Sequence, residues 1–490
     1  MQSFSSTLLL AAPLARGLPC PENVRTLGFF APDCDAQGGL LPPPRFGSLQ
    51  ASMDAAMGYY ARSPLDLPLS HGLPPFVWAT FTTGVYIPSS FDIIAGMQDG
   101  MGILGYVRYI ERARSGRGGN ASLALPGALA LGEYLTTWAN TPAQGVWGGV
   151  TRSTGLNFEW PLSTAAQGDA AFGINCIETD RVGLAGFALL RLFEATGSSN
   201  ATYLAQALRN ARALAAAQAP GNATDAPWPF RVDSVSGAFL NGHKNGESAF
   251  PLRLFRALSR PPYSLAEFAA PAARLWAWIR DFQLPTARVN ASLSEALFVN
   301  FFEDRKTTLD NNRNSWTALE LARTLIETRG EGFDPDWAAH VQALLDYALG
   351  LFGYKSGVGN VTLMGEQVRR AAQRPLLAGA AAADFFLAHP TSLSLCSSQD
   401  DDRKGWGGAS SKLSAVAAMY ACAGGPAWYA GLGARNAAHM AYYTAPEDGC
   451  RSAEAYSVNA TPSRGGWSED AWLDVVLNVL DAAEAAEGFC

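Results

Sequence analysis

"RVGLAGFALLRLFEATG", residues 181–197, is followed directly by "SSNATYLAQALRNARALAAAQ", residues 198–218. In the first segment apolar residues recur every three or four positions, which is the spacing of a helix with a buried face. Gly197 then stands where a helix C-terminus favours glycine. The second segment begins a return helix that carries Tyr203 near its start. Together the two segments predict antiparallel helices joined by a short turn.

The same pattern occurs twice more along the chain. "NSWTALELARTLIETRG" (314–330) leads into "AAHVQALLDYALGLFG" (338–353), and "KLSAVAAMYACAGG" (412–425) leads into "AGLGARNAAHMAYY" (430–443). Weaker helical patterns predict a pair of helices over 48–63 and 91–114, a second pair over 246–259 and 264–282, and single helices over 126–140 and 468–488. The chain therefore carries six or seven hairpins, spaced by roughly 45 to 65 residues. Strand signals are limited to "GVYIP" and "PFRVDSVSG".

The loops between the hairpins are long and unequal, and they cover 141–180, 220–245, 283–312, 354–411 and 444–467. An open solenoid has short loops of even length. A closed toroid instead places inner helices around a central cavity and gathers long loops at one rim, and long loops in compact proteins are usually functional. We therefore predict an all-α fold, an (α/α)6 or (α/α)7 toroid with long functional loops on one rim.

Composition excludes several classes of protein. The chain has 490 residues, 48% of them hydrophobic and 16% charged, with a net charge of −7 and no Lys/Arg-rich run. It therefore lacks the basic footprint of a nucleic-acid binder, and no stretch approaches the ~18 apolar residues of a membrane span. An apolar run over 8–15 ends at Ala15-Arg16-Gly17, which has the form of a signal-peptide cleavage site. We interpret 1–17 as a candidate signal peptide and 18–490 as a single catalytic toroid domain.

Glycosylation signals and cysteines indicate an extracellular protein. The seven cysteines are widely spaced, and Cys20, Cys34, Cys450 and Cys490 lie near the termini, where disulfide bridges would tie down the chain ends. Six N-x-S/T sequons favour a secreted eukaryotic glycoprotein. The sequons begin at Asn120, Asn200, Asn222, Asn290, Asn360 and Asn459.

The hairpin pattern "GFALLRLFEATGSSNATYLAQAL", with long loops that carry Trp, Asp, Glu and Arg, resembles the six-hairpin glycosidase superfamily. The resemblance covers most of the chain from about residue 50 onward. That superfamily contains many glycoside hydrolases, several polysaccharide lyases and some sugar epimerases. Because the likeness is one of repeat style, it implies the toroid fold and leaves the reaction open.

The loop before one predicted inner helix, "FFEDRKTTLDNNRNSW" (301–316), is rich in polar groups. In a toroid its side chains would point into the cavity, with Trp316 as a wall. "NNRNSW" resembles the Asn-Asn-His-x-x-Trp motif of toroidal alginate lyases, with Arg313 in the place of the histidine. An arginine does not shuttle protons near neutral pH. The resemblance therefore implies that the loop lies in the cleft and does not carry over the lyase mechanism.

Other loops supply further candidate groups. "IETDRVG" places Asp180 and Arg181 just before a helix, where Asp180 is also a plausible N-cap. "NGHKNGESAF" places His243 and Asn245 in a Gly-punctuated turn, and "TLMGEQVRR" contains Glu366. The predicted catalytic groups are Asp304, His243, Asp180 and Glu366. The predicted substrate-binding groups are Asn245, Asn311, Arg313, Arg305, Arg181, Trp316, Trp160 and Trp228. No metal or cofactor site is predicted.

Polar and aromatic loops of this kind suit a sugar site, since sugar rings stack on aromatic faces while their hydroxyls pair with amides and carboxylates. We predict a glycoside hydrolase that uses paired carboxylates, roughly 6.5 to 9.5 Å apart in an inverting enzyme. Its substrate is a polysaccharide, and five arginines in the loops favour an acidic one: Arg152, Arg181, Arg231, Arg305 and Arg313. The alternatives are a polysaccharide lyase acting on a uronate polymer such as alginate or glucuronan, a sugar epimerase and a non-catalytic glycan-binding toroid. The oligomeric state stays open.

Overall fold

The structure is a computed structural model of the chain. It describes residues 48–61, 80–82, 85–87, 95–153, 175–242, 245–287, 298–299, 315–351, 353–355, 361–363, 404–442, 455–457 and 473–489. The α-helices within these residues are α1 Leu49–Ala61, α2 Ala95–Arg114, α3 Ala121–Thr137, α4 Thr179–Ala195, α5 Ala201–Ala217, α6 Ala249–Ser259, α7 Ala269–Trp278, α8 Trp316–Thr328, α9 Trp337–Leu351, α10 Gly407–Cys422, α11 Trp428–Tyr442 and α12 Leu473–Ala486. All three hairpins predicted most clearly are present, as α4–α5, α8–α9 and α10–α11.

Six of these helices form a closed inner ring. The contacts run from α2 to α4, α6, α8, α10 and α12, and α12 packs back on α2. In the outer layer α3, α5, α7, α9 and α11 each pack on the inner helix that precedes them, and α1 packs on α12. The (α/α)6 toroid is therefore confirmed, and the open superhelix is excluded.

The pairing of the first predicted helices was wrong. The sequence suggested that the helix over 48–63 pairs with that over 91–114, whereas α2 forms its hairpin with α3. The helix α1 instead joins α12 from the other end of the chain to complete the sixth hairpin. Because this pair is remote in sequence, local patterns carry no signal for it.

Helix α3 begins earlier than its pattern suggested. We expected a start at Pro126, but the helix starts at Ala121, because the side-chain oxygen of Asn120 accepts a hydrogen bond from the backbone N–H of Ser122 at 3.1 Å. Asn200 caps α5 in the same way, accepting from the N–H of Thr202 at 3.1 Å. Both sequon asparagines are thus N-caps.

The described strands are short antiparallel pairs. The strands are β1 Thr80–Thr82, β2 Val85–Ile87, β3 Cys176–Glu178, β4 Arg231–Asp233, β5 Phe239–Asn241, β6 Gly353–Lys355, β7 Val361–Leu363, β8 Lys404–Trp406 and β9 Ala455–Ser457. The two predicted strand signals are confirmed, as β2 and β4. The pairs are β1–β2, β6–β7 and β8–β9, while β3, β4 and β5 form one three-stranded sheet.

Because successive helices form antiparallel hairpins, the inner helices all run in one direction. We call the end of the ring at their N-termini the front end and the end at their C-termini the rear end. The strands β3 and β8 run directly into the front ends of α4 and α10. A continuous apolar core fills the space between the inner and outer layers. Among the helices that the structure describes, none is long and apolar enough to cross a membrane.

Candidate active site at the front end of the ring

The three-stranded sheet places two charged residues at the first turn of α4. Strand β3 pairs with β4 so that Glu178 lies opposite Arg231, and α4 begins at the next residue, Thr179. The Thr179 hydroxyl donates to the carbonyl of Pro229 at 2.8 Å, which ties the start of the helix to the sheet. The sheet therefore fixes the direction in which the first turn of α4 points.

Glu178 is buried between two arginines. Its carboxylate lies 2.6 Å from Nη2 of Arg231 and 3.2 Å from Nε of Arg181, and all three residues are at most 3% exposed. The backbone N–H of Glu178 also donates to the hydroxyl of Ser153 at 2.9 Å. The charges of Arg181 and Arg231 are thus engaged by a carboxylate of the protein itself.

Asp180 lies on the face of α4 that looks toward the ring axis. Phe187 and Arg191 of this helix line the central cavity. Asp180 precedes them by about two and about three turns, so the three residues share one face. Asp180 is 3% exposed, and neither of its carboxylate oxygens accepts a hydrogen bond from the described residues. Its nearest described charge is Nε of Arg181, at 3.3 Å.

This environment favours the protonated form of the Asp180 carboxyl. Burial raises its pKa well above the ordinary value of 3.8; Arg181 opposes the shift, while Glu178 and Glu247 add to it. A buried carboxyl that stays protonated near neutral pH can act as a general acid. Strongly shifted pKa values of this kind cluster at functional sites.

The loop before α6 brings a second buried carboxyl to the front end. Glu247 is 6% exposed, and its carboxylate accepts a hydrogen bond from the hydroxyl of Thr317 in α8 at 2.7 Å. Burial raises its pKa, an effect opposed by Arg181, Thr317 and Lys412 and reinforced by Glu178. Glu247 therefore links the front ends of α6 and α8.

Asn245 and Gly246 hold this loop in place. The side-chain oxygen of Asn245 accepts from the N–H of Glu247 at 3.0 Å, and its amide donates to Thr179 at 3.3 Å. A Cβ on Gly246 would lie 1.8 Å from the carbonyl oxygen of Phe298, so only glycine fits here. Asn245 thus connects the α6 loop to the start of α4.

Lys412 and Trp316 come from the neighbouring inner helices. Lys412 is fully buried, with its ammonium 3.8 Å from the centre of the Trp316 ring and hydrogen-bonded to Glu320. Trp316 is 6% exposed and begins α8. Three inner helices therefore contribute ionisable groups within one turn or two of their front ends.

The predicted site residues fall into three groups. Asp180, Arg181, Asn245 and Trp316 lie together at the front end. Trp228 lies in the core between layers, 4% exposed, where its indole N–H donates to the carbonyl of Leu214 at 3.0 Å and its ring packs on Phe255. The remaining predicted site residues lie outside the described residues: Asp304, His243, Glu366, Asn311, Arg313, Arg305 and Trp160.

Lys412, Glu320 and Thr317 were absent from the candidate sites proposed from the sequence. Each interrupts an apolar helix pattern, Lys412 in "SSKLSAV" and the other two in "WTALELA". A charged residue on an otherwise buried helix face is the signal that would have found Lys412 and Glu320, since charges are rarely buried without a partner.

No family model matches this chain, and no curated protein matches it in sequence. Solved structures do match its fold. Cellobiose 2-epimerase from Spirochaeta thermophila is 11% identical with a TM-score of 0.57, over 90% of this chain and 95% of that one. A sugar epimerase from a ruminal bacterium is 10% identical with a TM-score of 0.57, over 88% and 97%. A D-mannose isomerase is 9% identical with a TM-score of 0.56, over 90% and 97%. These likenesses confirm the six-hairpin toroid that the sequence pattern implied.

Proposed function

We propose that this chain is a carbohydrate-processing enzyme whose active site lies at the front end of the ring, with Asp180 as its general acid. The observation that carries the proposal is the Asp180 carboxyl, buried on the axis face of α4 with no hydrogen-bond donor among the described residues. A buried carboxyl with a purely structural role would normally accept hydrogen bonds, since burying a polar group without them is costly, and the one charge beside Asp180 among the described residues, Arg181, is shared with Glu178. The toroid neighbours act on sugars, as their names state.

Hydrolysis of a glycosidic bond is the reaction we favour. In this step the Asp180 O–H gives its proton to the glycosidic oxygen as the bond between that oxygen and the anomeric carbon breaks. A water oxygen bonds to the anomeric carbon, and its proton passes to an ionised carboxylate. Asp304 and Glu366 are the predicted candidates for that second carboxylate, and both lie outside the described residues.

Epimerisation or isomerisation of a sugar is the second candidate. It is favoured by the three structural neighbours, whose names describe two epimerases and one isomerase. This chemistry removes a proton from a carbon beside the carbonyl and returns a proton from an acid, so a protonated Asp180 also suits it. Asp180 is therefore needed by both reactions, and only the products distinguish them.

The described arginines give an acidic substrate no support. Arg181 and Arg231 were two of the five arginines that suggested an acidic polysaccharide, and both lie against Glu178. Arg152 donates through Nε to the carbonyl of Asn140 at 2.8 Å. We therefore propose that the substrate is a neutral saccharide. The alternative is a uronate polymer, whose carboxylates Arg305 and Arg313 would bind.

Incubation with cellobiose, a neutral mannan and alginate in heavy water tests these reactions side by side. New reducing ends without an ultraviolet signal indicate hydrolysis. Deuterium at the carbon beside the carbonyl, without new reducing ends, indicates an epimerase or isomerase. An unsaturated uronate absorbance on alginate indicates the lyase. If no product forms across a broader panel of saccharides, the catalytic proposal is wrong and a binding toroid remains.

We also propose that the protein is secreted and N-glycosylated. Asn120 and Asn222 are exposed, and each side-chain oxygen accepts the N–H of the sequon Ser122 or Thr224, at 3.1 and 2.7 Å. Since a glycan attaches to the side-chain nitrogen, these bonds would survive the modification. Expression in a eukaryotic secretory host should give a protein in the medium whose mass falls after treatment with peptide N-glycosidase. Retention in the cell at the unmodified mass would contradict the proposal.

A further inference from the structure

The central cavity on the ring axis extends to the rear end of the molecule, and we call it the rear cavity. It has a volume of about 430 Å³ and is lined by residues of all six inner helices. Phe187 and Phe250 lie on its front side, while Glu194 and Arg329 belong to the rear ends of α4 and α8. Phe489, which is 54% exposed, also lines it, so the cavity reaches the surface at the rear end.

The charges in this lining cancel. Five arginines and five carboxylates line the cavity, so its formal net charge is zero. They are arranged in ion pairs: Arg191 lies 2.5 Å from Glu111, and Arg253 lies 3.0 Å from Glu327. An anion or a cation entering this cavity would therefore bring a buried charge with no remaining partner, which is unfavourable. The lining favours a neutral ligand.

The wall contains a hydrogen-bond donor atom without an acceptor among the described residues. Arg253 is 7% exposed, and its Nε has no hydrogen-bond acceptor in the part of the chain that the structure describes. Its guanidinium lies 5.3 Å from the ring centre of Phe250 and 5.7 Å from that of Phe187. The wall thus combines an unsatisfied donor with two aromatic rings.

We propose that this rear cavity binds a neutral, hydroxyl-rich small molecule of about the size of a monosaccharide. A hydroxyl group both donates and accepts, so it can bond to a guanidinium and to a carboxylate of the same ion pair. The C–H faces of a sugar or polyol would pack on Phe187 and Phe250. The volume falls within the ~300–1,000 Å³ of small-molecule sites.

This site lies behind the proposed active site, and the two meet at Glu320, which is hydrogen-bonded to Lys412 and also lines the rear cavity. Asp180 lies about two turns in front of Phe187, which corresponds to about 10 Å along the axis. Lys412 and Trp316 also lie toward the front, and neither lines the rear cavity. The proposal does not depend on which reaction the front end performs.

Saturation-transfer NMR with D-glucose as the probe, and malonate as the charged comparison, tests the site. Ala257 lines the cavity on α6, and Ala257→Trp would fill it without removing a charge. Ala216→Trp is the matched control, since it makes the same change at an exposed position on the outer helix α5. We expect glucose binding to weaken at least tenfold in Ala257→Trp and to persist in Ala216→Trp and Asp180→Asn.

If Ala257→Trp does not fold, Phe489→Ala serves instead, because this exposed side chain lies at the cavity opening, and we expect it to weaken glucose binding several-fold. The proposal is overturned if glucose does not bind the wild-type protein, or if both variants bind it unchanged. Loss of binding in Asp180→Asn alone would place the sugar at the front end and overturn it too. Tighter binding of malonate than of glucose would overturn the assigned ligand class.

Discussion

Two carboxyl groups at opposite ends of the inner ring, Asp180 and Glu327, have opposite surroundings. At the front end Asp180 has no hydrogen-bond donor among the described residues, and burial raises its pKa well above the ordinary value. At the rear end the side chain of Glu327 is 38% exposed. Partial desolvation opposes its charge, but Arg253 and Arg323 outweigh this effect and lower its pKa to about 2. Burial thus favours the protonated carboxyl at one end, and arginine neighbours favour the ionised carboxylate at the other.

This difference indicates that the charged groups at the two ends of the ring have different roles. The rear carboxylates join neighbouring inner helices: Asp481 of α12 contacts Arg108 of α2 at 2.5 Å and also Arg323 of α8. These pairs cross the junction where α12 closes the ring on α2. The front carboxyl makes no comparable cross-ring ion pair among the described residues. We infer that rear charges support the fold and that the front carboxyl is retained for proton transfer.

The largest expected effect is on turnover. Asp180→Asn removes the proton donor while keeping the shape of the protonated acid. Removal of a general acid typically lowers the rate by about 10²–10⁴-fold, so we expect a loss of that order in kcat on an identified saccharide. Glu111→Gln at the rear end is the control and should change kcat less than about threefold. Near-normal turnover in Asp180→Asn would remove this residue from the mechanism, and Glu247 would be tested next.

Stability should respond in the reverse order. Asp481→Asn removes the buried carboxylate that Arg108 and Arg323 share. Breaking a buried pair typically costs about 3–5 kcal/mol, and we expect a loss of up to that size because Arg108 keeps Glu484 and Arg323 keeps Glu327. Asp180→Asn breaks no ion pair between inner helices and removes the cost of holding the Asp180 proton at neutral pH, so it should leave the free energy of unfolding unchanged or raise it. Urea unfolding of both variants at neutral pH measures the contrast. Equal losses in the two variants would contradict the division between the two ends.

The fold could be predicted from the sequence because each hairpin is specified by a short, continuous sequence pattern. Apolar spacing and a terminal glycine, as at Gly197, specify each hairpin without reference to the rest of the chain. The closure of α12 on α2 and α1 has no such signal. Neither has the contact of Glu178 with Arg231, since it depends on the pairing of β3 with β4.

Only part of the candidate site could be predicted from the sequence, because the other part depends on contacts between residues that are remote in the chain. Asp180 and Asn245 were found because they lie in polar loop sequences next to helix starts. Lys412 and Glu320 were missed because they stand inside apolar helices, where single charged residues resemble surface positions until the ring closes around them. Trp228 was predicted to bind substrate because it lies in a polar loop, but the structure packs it in the core. An aromatic residue in a polar loop therefore does not by itself indicate a binding role.

Backbone geometry gives a third contrast between the ends. At the front, a Cβ on Gly246 would overlap the carbonyl of Phe298, whereas a Cβ on Gly330 at the rear would meet no atom within 4 Å. Gly246→Ala should therefore destabilise the protein by about 1–3 kcal/mol, as overpacking does. It should also lower activity, because Asn245 and Glu247 flank it. Gly330→Ala should be close to neutral, and thermal unfolding of the pair measures both. A neutral Gly246→Ala would show that the loop can move away.

The smallest expected effect concerns the dependence of the free energy of unfolding on pH. Asp180 at the front end and Glu327 at the rear end should contribute to this dependence with opposite signs. At the front end, the folded protein holds the Asp180 proton above pH 3.8, where the unfolded chain has lost it. The free energy of unfolding should therefore fall as pH rises above that value, by at most ~1.4 kcal/mol per pH unit for one proton. Asp180→Asn should remove this fall.

At the rear end the sign is reversed. Glu327 has a pKa of about 2 in the folded protein against an ordinary value of 4.5, so between these values the unfolded chain binds more protons. Its stabilising contribution is present above pH 4.5 and is lost as pH falls toward 2, and Glu327→Gln should flatten that acid limb. Urea unfolding of the wild type and both variants from pH 3 to 8 provides the comparison. If the difference between wild type and Asp180→Asn does not vary with pH above 4, Asp180 is ionised in the folded protein. It could not then donate a proton to a substrate, and the contrast between the two ends would rest on geometry alone.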